Sequence, residues 1–207
     1  PFCANEGQFN NERFEIRMSA TRDWLISLNS AGQGCWFCKL DWSGAYKQLR
    51  TMHSDVRQQF FKWMGKYFAE LCLTFGGSSS VGLFDRLAKV FRFIATKLSK
   101  IPAKHVRQII DDVVACGTKA EVLAFYLKYR EVALDCGVIL AAEDDPKKAF
   151  SSAQEGEVFG VTYNSREFTW WLREDKQAVI VHMLRMLEQT GEHKLGFLKR
   201  IVGKLIH

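Results

Sequence analysis

The chain has 207 residues, 47% hydrophobic and 25% charged, which suits one compact domain or slightly more, with enough length to bury a real core. No apolar stretch is long enough for a helix to cross a bilayer, and the formal net charge of +6 suggests a polyanionic partner rather than a lipid interior. Six cysteines in a chain this long do not make a disulfide framework; free thiols point to an intracellular setting. The opening Pro1-Phe2-Cys3 has neither Met nor the shape of a signal peptide, and the chain is read as a piece of something longer.

Residues 1–30 begin polar and then turn helical over 19–28, with Gly32 and Gly34 as the stop. Residues 35–40 read as a strand running into Asp41. Cys35 and Cys38 lie three apart on it and so on opposite faces, which makes them core thiols rather than a metal knuckle. Residues 59–63 and 67–73 are aromatic and apolar, joined by Met64-Gly65-Lys66; they predict a hairpin whose aromatics belong to the core. A small-residue loop over 76–82 follows. Leu83, Leu87, Val90, Ile94 and Leu98 then recur at helical spacing, predicting a helix with this stripe inward and its basic residues outward, stopped by Pro102. The seven basic residues from Arg86 to Arg107 have no acid among them, and the tail from His193 is basic too. Such runs suit a polyanion, or simply a solvated helix face.

The next segment, Gln108-Ile109-Ile110-Asp111-Asp112-Val113-Val114, sets two carboxylates inside an apolar β-forming run. Adjacent buried carboxylates repel and resist desolvation, so the run predicts a tight hairpin with the aspartates at its tip. Thr118-x-x-Glu121 is a capping box opening a helix that ends near Gly137. Residues 143–148 read as an exposed loop, and strands over 158–163 and 168–172 as a second hairpin across Asn164-Ser165. Helices over 175–189, capped by Asp175, and over 194–206 close the chain. The plan is α+β, with helices packed on one face of an antiparallel sheet.

A lone Asp-Asp pair is ordinarily surface turn chemistry. What changes the reading is Asp41, a third carboxylate with the same apolar flank. If the strands are neighbours, Asp41, Asp111 and Asp112 converge at one sheet edge. Hard oxygens suit Mg²⁺, with Mn²⁺ as a substitute, and two such ions support in-line phosphoryl transfer. Asp41 and Asp111 are then the bridging ligands, the Trp42 backbone carbonyl a further oxygen, and Asp112 auxiliary.

These residues carry a resemblance. Leu40-Asp41-Trp42-Ser43-Gly44-Ala45-Tyr46 resembles the first catalytic motif of reverse transcriptases, and Ile109-Ile110-Asp111-Asp112 the second. The loop Leu73-Thr74-Phe75-Gly76-Gly77 resembles the nucleotide and template-primer loop, in the Phe-Gly form of gypsy-like and DIRS-like retrotransposons. Lys147 or Lys148 falls where the next motif carries a lysine, and Phe159-Gly160-Val161 resembles the primer grip. Ile201-Val202-Gly203-Lys204-Leu205 is similar to the segment after the thumb of DIRS-like elements. The motifs stand in the family's order from about Met18 onward. Three departures stand out: Ile109 where an aromatic residue is usual, Val81 where proline is common, and Gly44 in place of a polar residue.

The resemblance implies a palm with an antiparallel sheet on helices over 31–172, including the primer grip at Phe159 and Gly160. It implies the end of a fingers region over 1–30 and the start of a helical thumb over 173–207. It implies RNA-templated DNA synthesis with catalytic Asp41, Asp111 and Asp112, acting on an RNA template, a DNA primer and deoxynucleotides. Tyr46 would stack under the incoming sugar and bar a 2′-hydroxyl. The amides of Gly44 and Ala45 would hold the triphosphate, Phe75 and Gly76 would line its pocket, and Lys147 or Lys148 would protonate the departing pyrophosphate. The rest of a mobile-element polyprotein, fingers and ribonuclease H among it, would be partners. The alternatives are a non-catalytic nucleic-acid-binding remnant of the fold and an RNA polymerase, the latter disfavoured by Tyr46.

Overall fold

The computed structural model describes residues 21–77 and 79–190. Helix α1 (Thr21–Ala31) ends where Gly32 donates its amide to the Leu28 carbonyl, and strand β1 (Trp36–Leu40) follows. A 3-10 turn (Ala45–Gln48) and the short α2 (His53–Val56) lead to β2 (Phe60–Trp63) and β3 (Lys66–Ala69). Then come α3 (Ser80–Ser99), β4 (Val106–Ile109), β5 (Asp112–Gly117) and α4 (Lys119–Asp135). Strands β6 (Phe150–Ala153), β7 (Glu155–Val158), β8 (Val161–Asn164) and β9 (Thr169–Trp171) precede α5 (Glu174–Thr190). The helix expected over 194–206 and the segment before residue 21 lie outside the described residues.

The main sheet has the order β4-β5-β1-β6, with every pairing antiparallel. Alternation along its middle strands divides two cores. Cys38, Leu40, Val113 and Ala115 face α3 and α4. Cys35, Phe37, Val114 and Cys116 face α1 and the β7-β8-β9 sheet through Trp24, Val158 and Tyr163. The two CxxC thiols thus belong to opposite cores, as their spacing predicts, and both are unpaired. The capping box is formed: Glu121 donates its amide to the Thr118 hydroxyl oxygen, and the Glu121 carboxylate accepts from the Thr118 amide at 2.8 Å.

Four expectations need correction. The β2–β3 hairpin exists but is not core: it pairs only with itself, and Trp63 is 65% exposed. Its Phe61 and Phe68 rings stack on each other at 5.6 Å instead of being covered. On α3 the inward residues are Phe84, Ala88, Phe91 and Ala95, while Leu83, Val90, Ile94 and Leu98 are exposed and Leu87 is only partly buried. Residues 158–163 are not one strand, because the chain reverses at Phe159-Gly160 with both residues left-handed (φ 51° and 80°), which suits a two-residue hairpin turn. Helix α5 begins at Glu174, so Asp175 sits within the first turn, its carboxylate accepting from Arg173 rather than serving as cap. Strand β6, unforeseen in the sequence, pairs along the free side of β1.

Candidate active site

The register of β1 on β5 ends at Leu40 opposite Val113. Carried one residue further, it sets Asp41 against Asp112, so the strand ends expected to be neighbours are neighbours. Past its end the chain is held from the other side. The Ser43 amide donates to Ile139 at 3.0 Å and the Ala141 amide donates to Asp41 at 2.8 Å, flanking a bridge between Trp42 and Leu140. In that pattern the Trp42 carbonyl points away from Leu140, to the β5 side. The Trp42 ring anchors the segment: it is buried edge-on to Phe84 (5.1 Å) and Phe91 (5.0 Å), and its indole donates to the Tyr129 hydroxyl at 2.8 Å.

The acidic hairpin turns through Ile110 and Asp111 alone. Ile110 has φ 53°, a left-handed conformation that a β-branched residue adopts only under strain. The buried Gln108 side chain donates to the Ile110 carbonyl at 2.9 Å and braces the turn. The Asp41 carboxyl is pushed up to about 6, chiefly by burial, then by the charges of Asp112 and Asp111, against the pull of Lys39 and Lys148. Burial also raises Asp112, against the opposing pull of Lys39. The Tyr46 phenol is raised by burial and then by the charge of Asp111. Asp41, Asp111, Asp112, Tyr46, Lys39 and Lys148 therefore share one electrostatic neighbourhood.

Convergence is looser than expected. Among the described residues no three His, Cys, Asp or Glu side chains gather as a metal-ligand cluster. Asp112 is paired with Lys39, whose ammonium lies 3.2 Å from its carboxylate. The donors that could hold a hard divalent cation are the carboxylates of Asp41 and Asp111, whose charges act on each other, with the Trp42 carbonyl on the same side.

The other expected residues fall into three groups. Gly44 is left-handed (φ 61°, ψ 41°) at the head of the 3-10 turn, where the amides of Ala45 and Tyr46 follow, and both those side chains are buried. Tyr46 is 6% exposed, edge-on to Phe75 at 4.9 Å and to Phe84 at 5.5 Å; Phe75 itself is 77% exposed. Phe75 and Gly76 line a cleft of about 960 Å³ that runs past Lys47, Arg50 and Glu70 to Phe60 and Phe61 of the hairpin. Lys147 and Lys148 are separated by their roles: Lys147 gives its carbonyl to Lys39 at 2.8 Å, whereas the charge of Lys148 acts on Asp41. Phe159 and Gly160 form the β7–β8 turn, tied to α5 where Lys176 donates to the Gly160 carbonyl at 3.0 Å. Two residues at the site escaped sequence reasoning, Lys39 and Gln108. A charge between Cys38 and Leu40 in an apolar strand was the available signal, because a buried ammonium needs a counter-ion.

A four-stranded antiparallel sheet backed by two helices, with acidic residues where its middle strands end, is a reverse transcriptase-like, palm-like fold. No family model and no curated protein matches the chain. Solved structures do: the foamy viral protease-reverse transcriptase in complex with dsDNA matches with a TM-score of 0.62 at 15% identity, over 96% of this chain and 38% of that one. The same protein in complex with an RNA/DNA hybrid gives 0.61 at 19% identity, over 92% and 23%. A third structure, the dRH form with ds DNA, gives 0.56 at 21%, over 86% and 29%. The chain thus spans between about a quarter and two fifths of these proteins.

Proposed function

We propose that the chain is the palm of an RNA-templated DNA polymerase from a DIRS-like or gypsy-like retrotransposon, joining deoxynucleotides to a primer 3′-hydroxyl. The observation that carries this reading is the meeting of Asp41 with the Asp111-Asp112 hairpin at adjacent strand ends of a reverse transcriptase-like fold. Structural neighbours solved with dsDNA and with an RNA/DNA hybrid support a nucleic-acid partner. The palm would cover 31–172, between the end of the fingers and the start of the thumb.

Asp41, Asp111 and the Trp42 carbonyl would hold Mg²⁺ or Mn²⁺, two ions in all, which when bound supply charge stabilisation to the attacking and leaving oxygens. Tyr46 stacks beneath the sugar, with Phe75 and Gly76 beside it. The amides of Gly44 and Ala45 face the triphosphate. The primer 3′-hydroxyl gives its proton to solvent as its oxygen bonds the α-phosphorus and the bond to pyrophosphate breaks, and Lys148 gives the leaving pyrophosphate a proton. Lys148 is preferred to Lys147 because its charge is the one that acts on Asp41. Phe159 and Gly160 steady the primer end.

Primer extension by the longer protein that carries this chain, with Mg²⁺ or Mn²⁺, tests the reading. Asp111→Asn should lower the rate at least about a thousandfold, the scale at which two-metal electrostatics contribute. Unchanged extension would remove Asp111 from the site, and metal-independent hybrid binding without any extension would make the chain a non-catalytic remnant.

A further inference from the structure

Lys39 is a buried lysine to which the proposed reaction assigns no role. It lies on β1 two residues before Asp41 and so on the same strand face. Its backbone stands between Val114 of β5 and Phe150 of β6. Its side chain is 8% exposed, a costly place for a charge unless each donor is met. Two partners meet it: the ammonium lies 3.2 Å from Asp112 Oδ1, and it donates to the Lys147 carbonyl at 2.8 Å. Three separate segments are thereby pinned at one point: the strand that leads into Asp41, the first residue of β5, and the loop before β6.

We propose that Lys39 is a positioning residue whose ammonium keeps Asp112 out of the metal-ligand set and, through the Lys147 carbonyl, holds Lys148 at the carboxylate edge. The ammonium 3.2 Å from Asp112 Oδ1 offsets the carboxylate's charge and takes up one of its acceptor sites, which lowers its pull on a cation relative to Asp41 and Asp111. That leaves Asp41 and Asp111 as ligands and makes Asp112 a counter-ion. The tied carbonyl belongs to the residue next to Lys148, so the same contact limits where the Lys148 side chain can start. The inference rests on the metal-site reading above.

Two measurements test it. The first is Mn²⁺ binding to the purified chain, read by the paramagnetic resonance of free Mn²⁺. Lys39→Met frees Asp112 and should tighten binding at least about fivefold, while Asp112→Asn alone should shift it less than about twofold. Asp41→Asn should weaken it at least about tenfold. An Asp112→Asn variant as damaging as Asp41→Asn, or a folded Lys39→Met that binds no more tightly, overturns the proposal.

The second measurement needs no unpaired buried charge. Lys39→Met/Asp112→Leu removes both charges, a replacement that buried pairs commonly tolerate. In single-nucleotide incorporation by the longer protein, Lys148→Gln should cost at least about tenfold in the wild-type background. In the double-variant background the same change should cost less than about threefold, because the placement is already lost. Equal losses in both backgrounds reduce Lys39 to a structural lysine. A different outcome, Asp41→Asn leaving both Mn²⁺ binding and incorporation intact, overturns the metal-site reading and this inference with it.

Discussion

Asp41 ionises against its surroundings, held up to about 6 by burial and by Asp112 and Asp111. Its folded-state value lies above the ordinary 3.8, so the folded protein binds the extra proton between the two. The stabilising share is complete below the ordinary value and is lost as pH rises through about 6. Asp41→Asn should therefore raise stability to urea at pH 7.5 by about 1 kcal/mol, after allowing for screening at a half-buried site, with no gain near pH 4. Tyr46 is the second residue with a testable role. It packs edge-on against Phe75 and Phe84, and in the proposed complex its ring would bar a 2′-hydroxyl. Tyr46→Val should raise ribonucleotide over deoxyribonucleotide incorporation at least about tenfold, and an unchanged ratio would remove it as the gate. At this scale the acidic residues were legible because charges in apolar runs stand out. Lys39 carries the same signal, but its partners come from residues 112 and 147 and no local pattern names them.

Helix α3 carries two apolar stripes, and its period alone does not choose between them. Leu83, Leu87, Val90, Ile94 and Leu98 have the larger aliphatic side chains, yet the helix buries Phe84, Ala88, Phe91 and Ala95. The choice is made by its partners. Phe84 and Phe91 fill the space around Trp42, and the alanines between them permit close approach in the same core as α4. Phe91→Ala should cost about 3–5 kcal/mol of unfolding free energy, whereas Leu98→Ala should stay within about 0.5 kcal/mol. Urea unfolding measures both, and the reverse ranking would restore the stripe read from the sequence. The β2–β3 hairpin teaches a related lesson. Its pairing was legible from Met64-Gly65-Lys66 between two aromatic runs, but aromatic content did not decide burial.

Across the whole molecule, β1 and β5 divide two cores and are buried on both faces. The consequence for the thiols is chemical. Burial raises Cys35, pushes Cys38 up to about 12 and raises Cys116 further, which leaves little thiolate to react. Among the described cysteines, Cys136 is exposed. Iodoacetamide should label Cys136 in the native protein and reach Cys35, Cys38 and Cys116 only on unfolding, as mass spectrometry of digests would report. Rapid native labelling of Cys38 would mean that the sheet is open. The same division places the site: the carboxylates end the two middle strands, β7 contributes the charge of Glu157 near Asp112, and the cleft at Phe75 opens toward the exposed hairpin.

What the sequence determined by itself is what short-range chemistry decides. The acidic hairpin, though its turn falls one residue earlier than the Asp111-Asp112 tip expected, the Thr118–Glu121 capping box, the opposite faces of Cys35 and Cys38 and the α+β plan all depend on residues within a few positions of one another. The order of the motifs added the fold. Only the tertiary structure decided which stripe of α3 is covered, that the aromatic hairpin stands in solvent, and that Asp112 is paired with a lysine from the neighbouring strand. Those outcomes are set by which surfaces meet across long stretches of chain, where burial and counter-ions are chosen by partners rather than by pattern.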